Sequence, residues 1–480
     1  LTQQVSSPPE KSQKKFISQP LPRRDSQLPK KSGVISLLVI VGLLLILFTA
    51  LIIRNLPQAI VQPDGQQTLA SAGNSQEADS NGEGPLEIPG KTGIAPLELS
   101  SGRYVLYEQE DALYLASVAG DEPPQLLSTP GYVYNRATPP ILTPAGQVIY
   151  SGNGLWITDL SGRTPKKIAN VDNGQVVTSM VLSKDGSTIA WSSEPSNGNG
   201  TVNLYAGPLM SSSLIYQHSA DDCPCFRVFS FLDSPGQKDD TTTLLLTDDR
   251  GDHHAVQYGL WTLKLTDNTA AEPEQILSEE TPQTPLEIAP NTNTLLYSSY
   301  AGTVPAPSDG SVPDDIAELN YANSLFMAPI DGQELTARDS HVLLPEQHEL
   351  SNSAEYHWVT TPQFSPDGRT LTYVVFSSDA QMPFRRHSAL YTAQIKGSGK
   401  QLKISSPQVL AVTTARFVEL GPWLDNHTLT FYADNAIYAL DVNTGAVATI
   451  AQTKSYARIV AMLNLDTLAT PTPQPQGQQS

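Results

Sequence analysis

The feature that most constrains this chain is a grammar of short runs repeated from about residue 96 to residue 466. A run ending in a polar turn with Gly, Asp or Asn leads into a run of Leu, Ile, Val, Thr and Tyr. A run of the type L-Y/W-x-x-x-L follows, then a second turn and a final apolar pair. The clearest copy starts at Phe364 (FSPDGRTLTYVVF), continues at Ala389 (ALYTAQI) and ends at Pro407 (PQVL). Further copies begin at Leu99, Ile141, Val181 and Gly421, and two interrupted ones at Phe229 and Leu286. Alternation inside a copy has period two, as in Thr370-Leu371-Thr372-Tyr373, which is the pattern of a strand. Units of several strands recurring every 40–75 residues or so mean a propeller or an array.

A four-stranded unit cannot bury both of its faces alone, but units arranged radially bury each other's. The expected fold is therefore all-β, a seven-bladed β-propeller over residues 96–466; six or eight blades stay open, because 286–358 can be divided differently. The 38 Pro and 32 Gly, with charged residues at only 16%, suit a turn-rich β protein. Ser455-YARIVAMLNL is one more strand-like run, expected to pair with the first unit and close the ring, which removes exposed edges.

The copies FSPDGRTLTYVVF (364–376) and LSKDGSTIAWSS (182–193, with Lys for Pro) resemble the WD-like repeat of TolB-type β-propellers. The resemblance extends over about three quarters of the chain and implies the fold. Proteins with this repeat include periplasmic binding and scaffold proteins and the propeller parts of prolyl-oligopeptidase-like enzymes. No G-x-S-x-G elbow of the latter's hydrolase domain occurs here.

Val34–Ile53 (VISLLVIVGLLLILFTALII) is an uncharged run of 20 residues. As a helix it is about 30 Å long, the hydrocarbon thickness of a bilayer. Residues 1–33 carry seven Lys and Arg against Glu10 and Asp25, and the chain after Arg54 turns acidic. The positive-inside rule then places the N-terminus in the cytoplasm and the bulk of the chain outside the cell membrane. A cleaved signal peptide is the rival reading; its apolar core is shorter, about 7–15 residues. Residues 54–95 read as a flexible stalk and 467–480 as a disordered, Pro/Gln-rich tail.

Net charge is −19, with 29 Lys+Arg against 48 Asp+Glu. Nucleic acid is thereby an unsuitable partner. No Ser/His/Asp or Cys/His set, cofactor motif or metal-ligand set emerges from spacing, so no catalytic residue is assigned. Cys223-Pro224-Cys225 admits a small-loop disulfide, two free or buried thiols, or a redox or metal role with Asp221, Asp222 and His218 near in sequence. His253-His254 reads as part of a hairpin loop. The insertions 233–242, 301–323 and 345–358 are expected to protrude, and binding sits on such loops. Candidate ligand-binding residues are Asp309, Asp314, Asp315 and Glu318, and Arg385 and Arg386 for an anionic partner. Asp185 and Asp367 hold equivalent places in two copies and read as turn formers. The expected role is a membrane-anchored binding or scaffold module for an envelope protein, peptide or glycan. The alternative is an envelope hydrolase or lyase with carboxylates at the channel.

Overall fold

The computed structural model describes residues 85–464, apart from 161–163, 199, 221–223, 233–240, 251–256, 267–268, 279–282, 291, 300–323, 331–334, 336–339, 346–354, 380–385, 414 and 416. The apolar run 34–53 lies outside the described residues. Among those that are described, no helix is long and apolar enough to cross a membrane.

The fold is an all-β propeller. Among the described residues the strands form seven separate antiparallel sheets. The first holds Arg103–Gln109, Ala112–Ser117 and Gln125–Leu126; the second Ile141–Leu142, Gln147–Gly152, Gly154–Asp159 and Lys166–Ala169. The third holds Gln175–Leu182, Thr188–Pro195, Thr201–Pro208 and Ser213–Ser219. The fourth is built on Phe226–Leu232, Thr241–Asp248, Tyr258–Thr266 and Glu274–Leu277, and the fifth on Gln283–Ile288, Thr294–Ser299, Leu325–Pro329 and His341–Leu344. The sixth contains Glu355–Phe364, Thr370–Asp379, Arg386–Lys396 and Gln408–Thr413, and the seventh Val418–Trp423, Thr428–Ala433, Ala436–Asp441 and Val447–Gln452.

Period-two alternation explains why these sheets stack in a ring. In Thr370–Asp379, Leu371, Tyr373 and Val375 face the core shared with the fifth sheet, while Val374 and Phe376 face the core shared with the seventh. Leu245 faces the fifth sheet, and its neighbours Leu244 and Leu246 face the third. Leu106 packs toward the second sheet, while Val105 and Tyr107 pack into the core of the sixth and seventh. A strand apolar on both sides is thus the sequence signature of a sheet covered on both faces.

The C-terminal strand closes the ring. Arg458–Asn464 pairs antiparallel with Arg103–Gln109 and supplies the inner strand of the first sheet, as the run at 455–465 leads one to expect.

In the third and sixth sheets the turn between the first and second strands carries the repeated Ser-x-Asp-Gly. Ser183 Oγ donates to Asp185 Oδ1 at 2.6 Å, the same oxygen accepts from Ser187 N at 3.0 Å, and Thr188 N donates to Ser183 Oγ at 2.9 Å. Ser365, Asp367, Arg369 and Thr370 repeat the arrangement at 2.7, 3.0 and 2.9 Å. Both aspartates are turn formers, as their equivalent places imply. The hydrogen bonds from Ser183 and Ser187 hold the Asp185 carboxyl down at about 2.

The stalk boundary requires a correction. Residues 54–84 lie outside the description, but from Pro85 onward the chain belongs to the fold. Leu86–Glu87 adds a strand to the outer edge of the sixth sheet, against Thr413 and Val412. Lys91 Nζ donates to Asn443 O at 2.8 Å, and Leu97 N donates to Val447 O at 3.3 Å. Ile88, Leu97 and Leu99 pack on the core of the last sheet. Isolated apolar residues in a Pro/Gly-rich segment carry no periodicity, so composition reads this strap as linker.

Candidate functional site at the connection end of the ring

Each sheet has two ends. One carries the turns between first and second strands, Ser-x-Asp-Gly in the third and sixth sheets. The other carries the connections between sheets and the hairpins between second and third strands. Buried charge collects at the connection end. Arg458, Glu419 and Arg227 are the first or second residues of inner strands, and Glu108, Glu194 and Asp248 close second strands. Arg136 lies on the connection from the first sheet to the second.

Four of these groups form one network at the closure. Arg458 Nε donates to Glu108 Oε2, and its two terminal nitrogens donate to the carbonyls of Arg136 at 3.0 Å and Asn135 at 3.1 Å. Arg136 Nη2 pairs with Glu419 Oε1 at 2.9 Å, and Nη1 donates to Tyr456 OH at 3.1 Å. Tyr456 OH donates to Glu419, and Tyr132 OH donates to Glu108. The Arg458 guanidinium also lies over the Tyr134 ring, 4.9 Å from its centroid. The two glutamates and two arginines sum to zero charge. Burial pushes the Glu108 carboxyl up against the pull of Arg458. Burial opposes the charge on Arg136, yet Glu419 and Tyr456 hold its pKa above the ordinary arginine value. Burial, with Glu419 second, drives the Tyr456 phenol well above its usual range.

A second buried cluster joins the third and fourth sheets. Arg227 contacts Asp249 and lies 3.7 Å from Glu194 Oε1. Asp248 Oδ1 accepts from Cys225 N at 2.7 Å and Arg250 N at 2.8 Å. Burial raises the Asp248 carboxyl pKa. One ligand-type atom from each of Cys225, Asp248 and Asp249 lies within 4.8 Å of the others, a spacing suited to a cation. The cation beside Asp249 is Arg227 itself.

Hydroxyls staple neighbouring inner strands at their bulges. Ser179 Oγ accepts from Val228 N at 2.8 Å, and Thr361 Oγ1 accepts from Leu420 N at 3.0 Å. Glu287 differs from all these groups. It lies on the inner strand Gln283–Ile288, near its turn end and at a bulge. Half-buried, it makes no hydrogen bond or ion pair with the described residues, and burial alone lifts its carboxyl to about 8.

Of the residues expected from sequence, Asp309, Asp314, Asp315, Glu318, Arg385, His253, His254 and Cys223 lie outside the described residues. Arg386 begins the third strand of the sixth sheet, opposite Ser378. Cys225 is buried, with Sγ 3.8 Å from Ala220 O. Glu108, Arg136, Glu419 and Arg458 escape a reading by spacing, because the fold joins positions as much as 350 residues apart. The signal for Glu108, Glu419 and Arg458 is a charge within an apolar run, as in YVLYEQ, FVELGPW and YARIVAML, whereas Arg136 carries none.

No family model matches the chain, and no curated protein matches it. Among solved structures it is similar to a Lactobacillus plantarum protein at 10% identity, with a TM-score of 0.45 over 76% of this chain and 99% of that one. A periplasmic gluconolactonase of Pseudomonas aeruginosa is 13% identical, with a TM-score of 0.42 over 75% of this chain and 99% of that one. A protein assigned as TolB from Agrobacterium tumefaciens is 14% identical, with a TM-score of 0.33 over 66% and 92%. The likeness is one of fold alone.

Proposed function

We propose that the chain is an extracytoplasmic β-propeller, anchored by Val34–Ile53 and held outside the cell membrane, that binds or scaffolds an envelope protein, peptide or glycan at the connection end. The observation that carries this reading is the commitment of the buried charges there. Glu108 is taken by Arg458 within the first sheet, and Glu419 of the seventh sheet by Arg136 on the connection leaving the first, so both carboxylates are spent on holding the frame. That makes a rigid frame on which connections and inserted loops present a surface. Val133, 62% exposed on the connection beside the network, lies on that surface.

The test is a photo-crosslinking residue at Val133, with a control at Lys184 on the turn end, in intact cells of the source organism. A discrete adduct at Val133 that disappears when residues 301–323 are deleted is the expected result. Equal labelling at both positions would refute binding at this end. Protease added outside intact cells should digest the propeller while leaving residues 1–33 protected.

Glu287 favours a second reading, an envelope hydrolase or lyase. A carboxyl that keeps its proton near neutrality on an inner strand is suited to general acid work. Turnover of envelope glycans or peptides that Glu287→Gln abolishes would support it.

A further inference from the structure

The buried cluster between the third and fourth sheets differs from the closure network in its charge. At the closure two glutamates meet two arginines. Here Glu194, Asp248 and Asp249 share Arg227, and all four are buried, so among the described residues the cluster carries two negative charges. The next cation along the chain, Arg250, is exposed and lies over the Tyr258 ring, 3.8 Å from its centroid. Asp248 is only 3% exposed; its Oδ1 accepts two backbone hydrogen bonds, and its Oδ2 has no partner among the described residues. A carboxylate oxygen taken out of water in this way needs a proton or a cation. Beside it the fold sets a thiol. Cys225 directly precedes the inner strand Phe226–Leu232, Asp248 closes the second strand Thr241–Asp248, and the pairing of Phe226 with Asp248 makes them neighbours. One donor atom from each of Cys225, Asp248 and Asp249 lies within 4.8 Å of the others, and all three residues are buried.

We propose that Cys225, Asp248 and Asp249 form a binding site for a divalent zinc-type cation, which fastens the start of the fourth sheet's inner strand to the end of its second strand. Donor chemistry selects the ion. Calcium and magnesium take oxygen ligands, whereas one sulfur with two carboxylate oxygens suits the borderline-soft zinc ion. Donors on one tetrahedral zinc stand about 3.5 Å apart, so the three atoms need to close by at most about 1.3 Å. Both carboxylates are already oriented by neighbours, Asp248 by the N–H groups of Cys225 and Arg250 and Asp249 by Arg227, as ligating carboxylates are. Binding forms a zinc–sulfur bond in place of the thiol S–H, and the proton leaves to solvent. The ion adds two positive charges and the thiolate one negative, so the cluster falls from two negative charges to one. Three protein donors leave the fourth position of the ion to a water molecule. The site depends neither on the partner surface proposed above nor on the membrane anchor.

The experiment strips the full chain with a chelator and titrates it with Zn2+ and, in parallel, with Co2+, whose thiolate complexes have an intense near-ultraviolet absorption band. The expected result is one tightly held zinc per chain, which displaces one cobalt, and a cobalt–thiolate band in the parent chain. Cys225→Ser should abolish that band, Cys223→Ser should keep it, and Asp248→Asn should weaken zinc binding by about a hundredfold or more. Zinc should also raise the melting temperature of the parent and leave that of Asp248→Asn unmoved. The chain has eight His that can hold zinc without a thiolate, so zinc binding with no thiolate band in the parent overturns the proposal. A band that survives Cys225→Ser and vanishes in Cys223→Ser overturns it as well. Where Cys225→Ser does not fold, the parent's band and the Asp248→Asn titration decide: equal zinc affinity in Asp248→Asn and the parent removes the site.

Discussion

Arg458 on the last strand donates to Glu108 on the second strand of the first sheet, and 350 residues separate the two in sequence. Both side chains are buried, and Arg136 with Glu419 lies against them. Removing one partner strands a buried charge, which costs about 3–5 kcal/mol. Arg458→Met and Glu108→Leu should each lower unfolding free energy by about that much, and the double variant by less than their sum. Denaturant titration of the four proteins measures the coupling.

Deleting residues 455–466 removes the inner strand of the first sheet and exposes the edge of Arg103–Gln109. The loss should abolish the single cooperative transition and promote association through the open edge. Calorimetry and light scattering check both outcomes. A truncated chain that melts as sharply as the intact one would mean that the closure adds little.

Gly368 has φ +67°, and a Cβ there would stand 2.5 Å from the carbonyl oxygen of Pro290 on the fifth sheet. Gly174 has φ +83° with nothing within 4 Å. Gly174→Ala should cost about 1 kcal/mol for backbone conformation alone. Gly368→Ala should cost about 2–3 kcal/mol, because the neighbouring turn must also move. Melting temperatures of the two variants separate conformational strain from the contact between sheets.

Glu287 is lifted by burial from 4.5 to about 8. The folded state therefore binds more protons than the unfolded state between those values. Stability falls as pH rises through that window, by at most about 1.4 kcal/mol per pH unit, and the penalty is complete above about 8. Glu287→Gln should flatten this part of the stability profile and make the protein more resistant to urea at pH 8.5 than the parent. An unchanged slope would show that the carboxyl is ionised in the folded protein at pH 7.

The strand grammar was legible because every second strand is buried on both sides. Thr370–Asp379 splits its apolar residues between two cores, so the run looks apolar and yet keeps its period. The closing strand was legible for the same reason. The strap at 85–99 was not, since Ile88, Ile94 and Leu97 are single apolar residues among Pro, Gly and Lys. The network at the connection end was invisible to spacing, because residues 108, 136, 419 and 458 come together only when the ring is complete. Glu287 looks like any strand carboxylate until the fold shows that no described residue partners it.

The closing strand also fixes an order of events during synthesis. Residues 103–126 emerge early, but the strand that completes their sheet ends at Asn464. Until then the first sheet keeps a raw edge, and the sheet that emerged last keeps an uncovered apolar face. Ring closure therefore waits for almost the whole polypeptide to leave the ribosome. The nascent chain needs shielding from other strands for that interval, wherever in the cell it passes.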